Sequence, residues 1–150
     1  MEPSEVRQKV LNDHQGLRGR LEGVERLARG VAEGESAQVE ELRREATELL
    51  RVLTAHMSWE DSYLGPALRE ADAWGPERVA RFDQDHVQQR REIEELLERL
   101  SDGRQPASPL ARRVLEWIRD LYADMREEEA AFLDPNVLRD DVVGIDVETG

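Results

Sequence analysis

The spacing of apolar residues is the feature that most constrains how this chain can fold. In four long segments, leucine, valine and alanine recur at steps of three or four, the period of one face of an α-helix. We predict helices from about Ser4 to Gly34, Ser36 to Ala73, Pro76 to Ser101 and Ser108 to Asp134. Almost no segment alternates apolar with polar residues, as a half-buried strand does. Four amphipathic helices with short connections predict an all-α fold, an antiparallel up-down-up-down four-helix bundle.

Local signals set the expected boundaries. Ser4 is placed to cap the first helix, since its hydroxyl can accept a hydrogen bond from a free N–H of the first turn. Pro66 has no N–H donor, so we expect the second helix to kink or end at Gly65–Pro66. The bundle is predicted to occupy residues 1–135. An acidic tail without a clear period follows over residues 136–150.

The composition narrows the classes of partner. A chain of 150 residues suits one domain with a proper core. Its formal charge of -13 repels phosphate, so we expect neither nucleic acid nor an anionic membrane surface as a partner. The absence of cysteine excludes disulfides and thiolate metal ligands. No apolar run approaches the ~20 residues of a membrane span. No signal peptide is apparent, and we expect a cytoplasmic protein.

Polar residues with metal-binding side chains stand on the apolar faces of the predicted helices. They are His14 on the first helix, His56 and Glu60 on the second, His86 on the third, and Asp124 and Glu128 on the fourth. Residues four apart on a helix point side by side. Burying this much charge is costly unless the groups are paired or coordinated, and a metal is the simplest compensation. A lone histidine on an apolar face is more often a hydrogen-bonded core residue, so the prediction rests on the set.

Counting residues places these side chains at similar heights. His14 lies 18 residues before the end of the first helix near Ala32, and His56 lies 18 residues after Gln38, where the second begins. His86 and Asp124 lie 15 and 16 residues from the ends nearest their connection. Because one residue rises only ~1.5 Å, each pair is expected to be level across antiparallel helices.

The sequences of the second and fourth helices are weakly similar to each other. His56-x-x-x-Glu60-Asp61 corresponds to Asp124-x-x-x-Glu128-Glu129, with Asp124 in the place of the histidine. Two glutamates at matched positions are suited to bridging a pair of cations, with the imidazoles and Asp124 as terminal ligands. Oxygen and imidazole donors favour iron, manganese or zinc.

These motifs resemble the hemerythrin-like, or HHE cation-binding, family over roughly residues 6–135. That family has a lone His on helix one, His-x-x-x-Glu on helix two, an acid–His pair on helix three and His-x-x-x-Glu-Glu on helix four. The matching residues are His14, His56 with Glu60, Asp85 with His86, and Asp124 with Glu128 and Glu129. The resemblance implies a four-helix bundle with a non-haem di-iron centre, hence two iron ions, with manganese or zinc as alternatives.

Two residues depart from the pattern of the oxygen-carrying members. Phe82 stands where they have a second helix-three histidine, and Asp124 replaces the helix-four histidine. The loss of two imidazoles argues against reversible oxygen carriage. The set is more similar to the iron–sulfur-cluster-repair branch, in which two glutamates bridge the metals. That branch often carries cysteines in an added segment, and this chain has none.

The acidic residues beside the candidate ligands are expected to play smaller roles. Asp61 and Glu129 are predicted to be solvated or to lie behind the ligands, and Asp13 and Asp85 to lie on the surface. One position along a helix rotates a side chain by ~100° away from the inner face.

Three functional hypotheses remain open from the sequence. The first is a di-iron protein that binds or senses O2, NO or H2O2, or acts in an iron or redox stress response. The second is a redox enzyme that consumes peroxide or nitric oxide. The third is a metal-free or zinc-bound helical interaction module, motivated by Asp124 and Phe82. A ferritin-like store is disfavoured, because those sites use Glu-x-x-His.

Overall fold

Four α-helices form the protein in the computed structural model, which describes residues 1–141. The elements are α1 (Pro3–Ala32), a short 3-10 turn (Ser36–Gln38), α2 (Val39–Ala71), α3 (Gly75–Ser101) and α4 (Ala107–Phe132). Residues 1–141 contain no strand. The helices run up-down-up-down, which confirms the predicted all-α antiparallel bundle. None of the helices in this part of the chain is long and apolar enough to cross a bilayer.

The helices do not pack equally well around the bundle. Packing is extensive between α2 and α3, between α1 and α4, and between α1 and α2, but light between α3 and α4. We call the boundary between two neighbouring helices a seam. The α3–α4 seam is therefore the most open of the four.

Two separate apolar clusters fill the interior. The larger one lies toward the α1–α2 and α3–α4 connections and includes Leu21, Leu49 and Leu96, all fully buried. The smaller one lies at the opposite end and includes Leu64 and Phe82. Each helix contributes to both clusters, because its apolar positions repeat along one face. The polar residues singled out above lie, in sequence, between the residues of the two clusters. They form a polar layer across the bundle, with an apolar cluster on each side.

The first helix begins earlier than predicted. Pro3 is its first residue, a position that suits proline because the missing N–H has no partner there in any helix. The backbone N–H of Glu2 donates to Glu5 Oε2 at 2.7 Å. The prediction of Ser4 as the cap is wrong, because Ser4 lies inside the first turn. Its backbone N–H and its hydroxyl donate instead to the Asp140 carboxylate at 2.9 and 2.6 Å.

The second helix continues through Pro66 to Ala71. Of the two outcomes expected at Gly65–Pro66, a kink or an end, the end is wrong. Leu64 and Leu68, on either side of the proline, are completely buried. Their packing outweighs the backbone hydrogen bond that proline cannot make, since tertiary packing contributes most of a helix's stability.

The first residues of the predicted acidic tail pack against the bundle. Leu138 is buried in the smaller apolar cluster beside Val6, and Asp140 makes the contacts with Ser4 described above. Residues 142–150, the rest of that tail, lie outside the described residues.

Candidate metal centre

The polar layer brings metal-ligating side chains from three helices together. His14 of α1, His56 and Glu60 of α2, and Glu128 of α4 each offer one ligand atom, and these atoms all lie within 4.8 Å of one another. The centroids of the His14 and His56 rings are 5.2 Å apart, which confirms that the two residues are level. Each side chain continues an apolar face of its helix, so the packing of the helices itself directs it inward.

His86 of α3 joins this group through Glu60. Its Nε2 lies 3.2 Å from Glu60 Oε1, and His56 Nε2 lies 3.3 Å from the same oxygen. On the other side of the layer, His14 Nε2 lies 3.0 Å from Glu128 Oε1. Each glutamate therefore has at least one imidazole nitrogen beside it. Five of the six sequence-predicted residues meet in one layer.

All three histidines turn the same ring atom toward the layer. Each Nε2 points inward, and each Nδ1 contacts a carboxylate of a neighbouring helix. The pairs are His14 with Glu129 at 2.7 Å, His56 with Asp13 at 3.1 Å and His86 with Asp61 at 2.7 Å. A carboxylate that accepts from Nδ1–H fixes the ring and leaves the Nε2 lone pair for a cation, as in metal-ligating histidines generally.

A basic side chain holds each of these outer carboxylates. The pairs are Lys9 with Asp13 at 2.7 Å, Arg18 with Glu129 at 2.7 Å and Arg90 with Asp61 at 2.5 Å. Each imidazole thus sits at the end of a triad of cation, carboxylate and ring. The triads hold the ring orientations before any metal arrives.

One of the three outer carboxylates was missed from the sequence. Asp13 was predicted to lie on the surface, but its side chain is only 21% exposed and reaches His56 across the α1–α2 seam. Counting residues from the connection could have found it, because Asp13 is adjacent to His14 and therefore nearly level with His56. Asp61 and Glu129 do lie behind the candidate ligands, which was one of their two predicted positions. Asp85 is exposed as expected.

Several buried polar atoms of the layer lack hydrogen-bond partners. Within the described residues these are His56 Nε2, His86 Nε2, Glu60 Oε2 and Glu128 Oε1. Three of the four lie 3.0 to 3.3 Å from an oppositely charged atom, but not in hydrogen-bonding geometry. An unsatisfied buried donor or acceptor costs about 1–3 kcal/mol, so the imperfect contacts of these atoms disfavour the metal-free layer. Cations bound between them would satisfy all four. Imidazole nitrogens and carboxylate oxygens suit iron, manganese or zinc, and the residues present fit such an ion.

Protons balance the charges of this layer when no cation is bound. Burial alone would lower the pKa of His56, but contacts with Glu60 and Asp13 raise it to about 9. Burial would raise the pKa of Glu60, yet His56 and His86 bring it below its usual range. Burial and then the nearby Glu60 charge raise the pKa of Glu128 to about 8. A cation entering the layer must therefore displace protons.

The structure leaves Asp124 outside the group. This side chain is half-buried in a cleft of the α3–α4 seam, beside Glu128 and Phe82. Burial, followed by the charges of Glu92 and Asp120, raises the pKa of Asp124 to about 6. Among the described residues, Asp124 has no hydrogen-bond or ion-pair partner. Its role as a ligand stays a prediction.

An antiparallel four-helix bundle with a buried layer of imidazoles and carboxylates is the architecture of a metal-binding helical protein. The family model described as the hemerythrin HHE cation binding domain matches residues 6–134, and the chain belongs to this family. A search of the curated proteins found no match, and a search of the solved structures found none either.

Proposed function

We propose that the polar layer holds two iron ions, with Glu60 and Glu128 bridging them, and that this centre binds or senses O2, NO or H2O2. The observation that carries the proposal is that two inward glutamates lie among three inward Nε2 atoms, with nitrogen–oxygen distances of 3.0 to 3.3 Å. His14, His56, His86 and Asp124 are the proposed terminal ligands. Manganese or zinc would fit the same donors. Iron, when bound, supplies one-electron chemistry and coordination positions for small ligands.

The chain's own residues favour a small ligand over an organic substrate. The ring of Phe82 packs on His86 with centroids 4.1 Å apart, and Phe132 meets Phe82 edge-on at 5.9 Å. Phe82 is 1% exposed. These rings form an apolar wall beside the layer, at one side of the α3–α4 cleft. An apolar wall suits a diatomic molecule or peroxide better than a charged organic substrate.

The visible absorption spectrum tests this function. Iron-loaded reduced protein is mixed anaerobically with NO, and separately with O2 and with H2O2. We expect a spectral change with at least one of them in the wild-type chain. Glu70→Ala, an exposed glutamate of α2, should respond as the wild type does, whereas Glu60→Ala/Glu128→Ala should not respond. An iron-loaded wild-type chain that responds to none of the three contradicts the proposal.

Turnover separates a sensor from an enzyme. A chain that consumes many equivalents of H2O2 or NO per iron pair, with a reductant supplied, acts as a redox enzyme. One that binds about one equivalent and stops acts as a sensor or carrier. The triads favour binding, because they hold the imidazoles in fixed positions.

A zinc-bound or metal-free interaction module is the second candidate. The position of Asp124 outside the cluster favours it, because only five donors then converge. A melting temperature unchanged by iron would support this module, since a ligand that binds only the folded state must raise stability.

A further inference from the structure

Three of the four seams carry positive charge at the level of the polar layer. Each holds one of the triads, in which a basic side chain covers the carboxylate that contacts an imidazole. They are Lys9–Asp13 at the α1–α2 seam, Arg18–Glu129 at the α1–α4 seam and Arg90–Asp61 at the α2–α3 seam. A divalent cation approaching any of them meets an ammonium or guanidinium group first.

The α3–α4 seam breaks this pattern. Asp124 stands where α2 has His56, and Asp85 precedes the histidine of α3 as Asp13 precedes that of α1. The fourth seam therefore has a second carboxylate in place of the imidazole. Among the described residues, no lysine or arginine lines the cleft there. Arg81 of α3 does pair with Glu127 of α4 at 3.2 Å, but neither member of that pair contacts an imidazole, and Arg81 does not line the cleft.

The cleft leads from the surface to the polar layer. Its volume is about 250 Å³, and the light packing of α3 against α4 keeps it open. Six carboxylates line it: Asp85, Glu92, Asp120, Asp124, Glu127 and Glu128. The last of these belongs to the candidate metal centre, where its Oε1 lies 3.0 Å from His14 Nε2. The cleft and the centre therefore share a carboxylate.

We propose that the α3–α4 seam is the route by which a divalent cation reaches the metal layer. Three outer carboxylates, Asp85, Glu92 and Asp120, attract the cation, and Asp124 passes it to Glu128. A cleft lined by one sign of charge raises the rate of association of an opposite charge by 10- to 1,000-fold. The route rests on the proposed function, since it requires that the layer binds a metal.

The rate of cobalt uptake tests the route. Metal-free protein is mixed with Co²⁺ in a stopped-flow instrument, and the visible absorption of the bound ion is followed. The cleft variant Asp85→Asn/Glu92→Gln/Asp120→Asn removes three charges without touching a proposed ligand. The matched control Glu33→Gln/Glu41→Gln/Glu98→Gln removes three charges at exposed positions toward the connection end of the bundle.

At low salt we expect the cleft variant to take up cobalt about tenfold more slowly than the wild type. The control should stay within about twofold, because its charges are remote and screened. Both variants should reach the wild-type cobalt content, and the rate difference should shrink at about 0.5 M salt. Ala123→Arg places a cation at an exposed position in the cleft and should also slow uptake without lowering the final content.

Two results would overturn the route. If the cleft variant and the control slow uptake equally, or neither does, cations reach the layer elsewhere, while the metal centre itself stands. If the wild-type chain takes up no cobalt at any concentration, the route and the proposed metal centre both fail.

Discussion

Replacing Asp124 with asparagine tests the electrostatics of the α3–α4 seam. Burial, Glu92 and Asp120 raise the pKa of Asp124 from 3.8 to about 6. Because one pKa unit is worth about 1.4 kcal/mol, the ionised carboxylate destabilises the metal-free fold by at most about 3 kcal/mol. Water still reaches this half-buried side chain and screens its neighbours, which reduces the figure to about 1 kcal/mol. We expect Asp124→Asn to raise the free energy of unfolding by that amount at pH 7.

The pH dependence gives the sign of the effect. When folding raises the pKa of a carboxyl, the group's contribution to the free energy of unfolding is most favourable below the pKa of the unfolded state. That contribution is lost as the pH rises through the pKa of the folded state. For Asp124 that window runs from 3.8 to about 6. The advantage of the asparagine variant should therefore be near zero below about pH 4 and complete by about pH 7.

Urea unfolding followed by circular dichroism, with a chelator present, measures this difference at several pH values. Asp83→Asn is the matched control, since Asp83 is exposed on α3, and it should change stability by less than about 0.5 kcal/mol. A variant no more stable than the wild type at pH 7 would refute the reasoning. So would an advantage of the same size at low and neutral pH.

Three further changes probe the layer and the fold. Glu60→Ala or Glu128→Ala should abolish metal binding, because these two glutamates lie among the imidazoles. Asp124→Ala should leave part of the metal bound. Equal losses of metal in all three variants, measured by elemental analysis, would remove the support for bridging by the glutamates. Glu129→Gln removes the charge that orients the helix-one imidazole, so metal affinity in competition with a chelator should fall about 10- to 100-fold. An unchanged affinity would contradict that orienting role. Arg43→Ala should lower the free energy of unfolding by about 2–3 kcal/mol and leave metal content unchanged, because its buried guanidinium donates to carbonyls at the end of α3 and in the following connection at 2.8 and 2.9 Å. A loss in urea unfolding below about 0.5 kcal/mol would show that those carbonyls find other partners.

The helices and the height of the polar layer could be predicted from the sequence. The apolar period marks the inner face of each helix, and short connections force neighbouring helices to run antiparallel. With a fixed rise per residue, distance from the connection becomes height in the bundle. This simple geometry placed His14 level with His56, as the 5.2 Å separation of their rings confirms.

The direction in which a side chain points around the helix axis could not be predicted as well. Asp124 was placed by height alone, but height does not fix rotation about the helix axis, and its side chain lines the α3–α4 cleft. For Asp13, the prediction of a surface position was wrong. Asp13 lies ~100° from His14 around α1. Because a helix in a bundle contacts two neighbouring helices, that direction leads to His56 rather than to water.

Local backbone signals failed where tertiary packing outweighed them. Proline at position 66 removes one hydrogen bond, but the buried leucines on both sides hold α2 in place. Ser4 has the right chemistry for a helix cap, yet the helix already begins at Pro3, and the Ser4 hydroxyl donates its hydrogen bond to Asp140. Both outcomes depend on residues distant in sequence or on the sum of many contacts, which a local pattern does not contain.

The iron content of the chain tests the central claim most directly. The protein is produced with iron supplied, purified, and analysed for metals against its concentration from amino-acid analysis. We predict about two iron ions per wild-type chain and almost none in Glu60→Ala/Glu128→Ala, because these two glutamates are the proposed bridges. A wild-type chain with no iron, or with a single zinc, would contradict the di-iron centre.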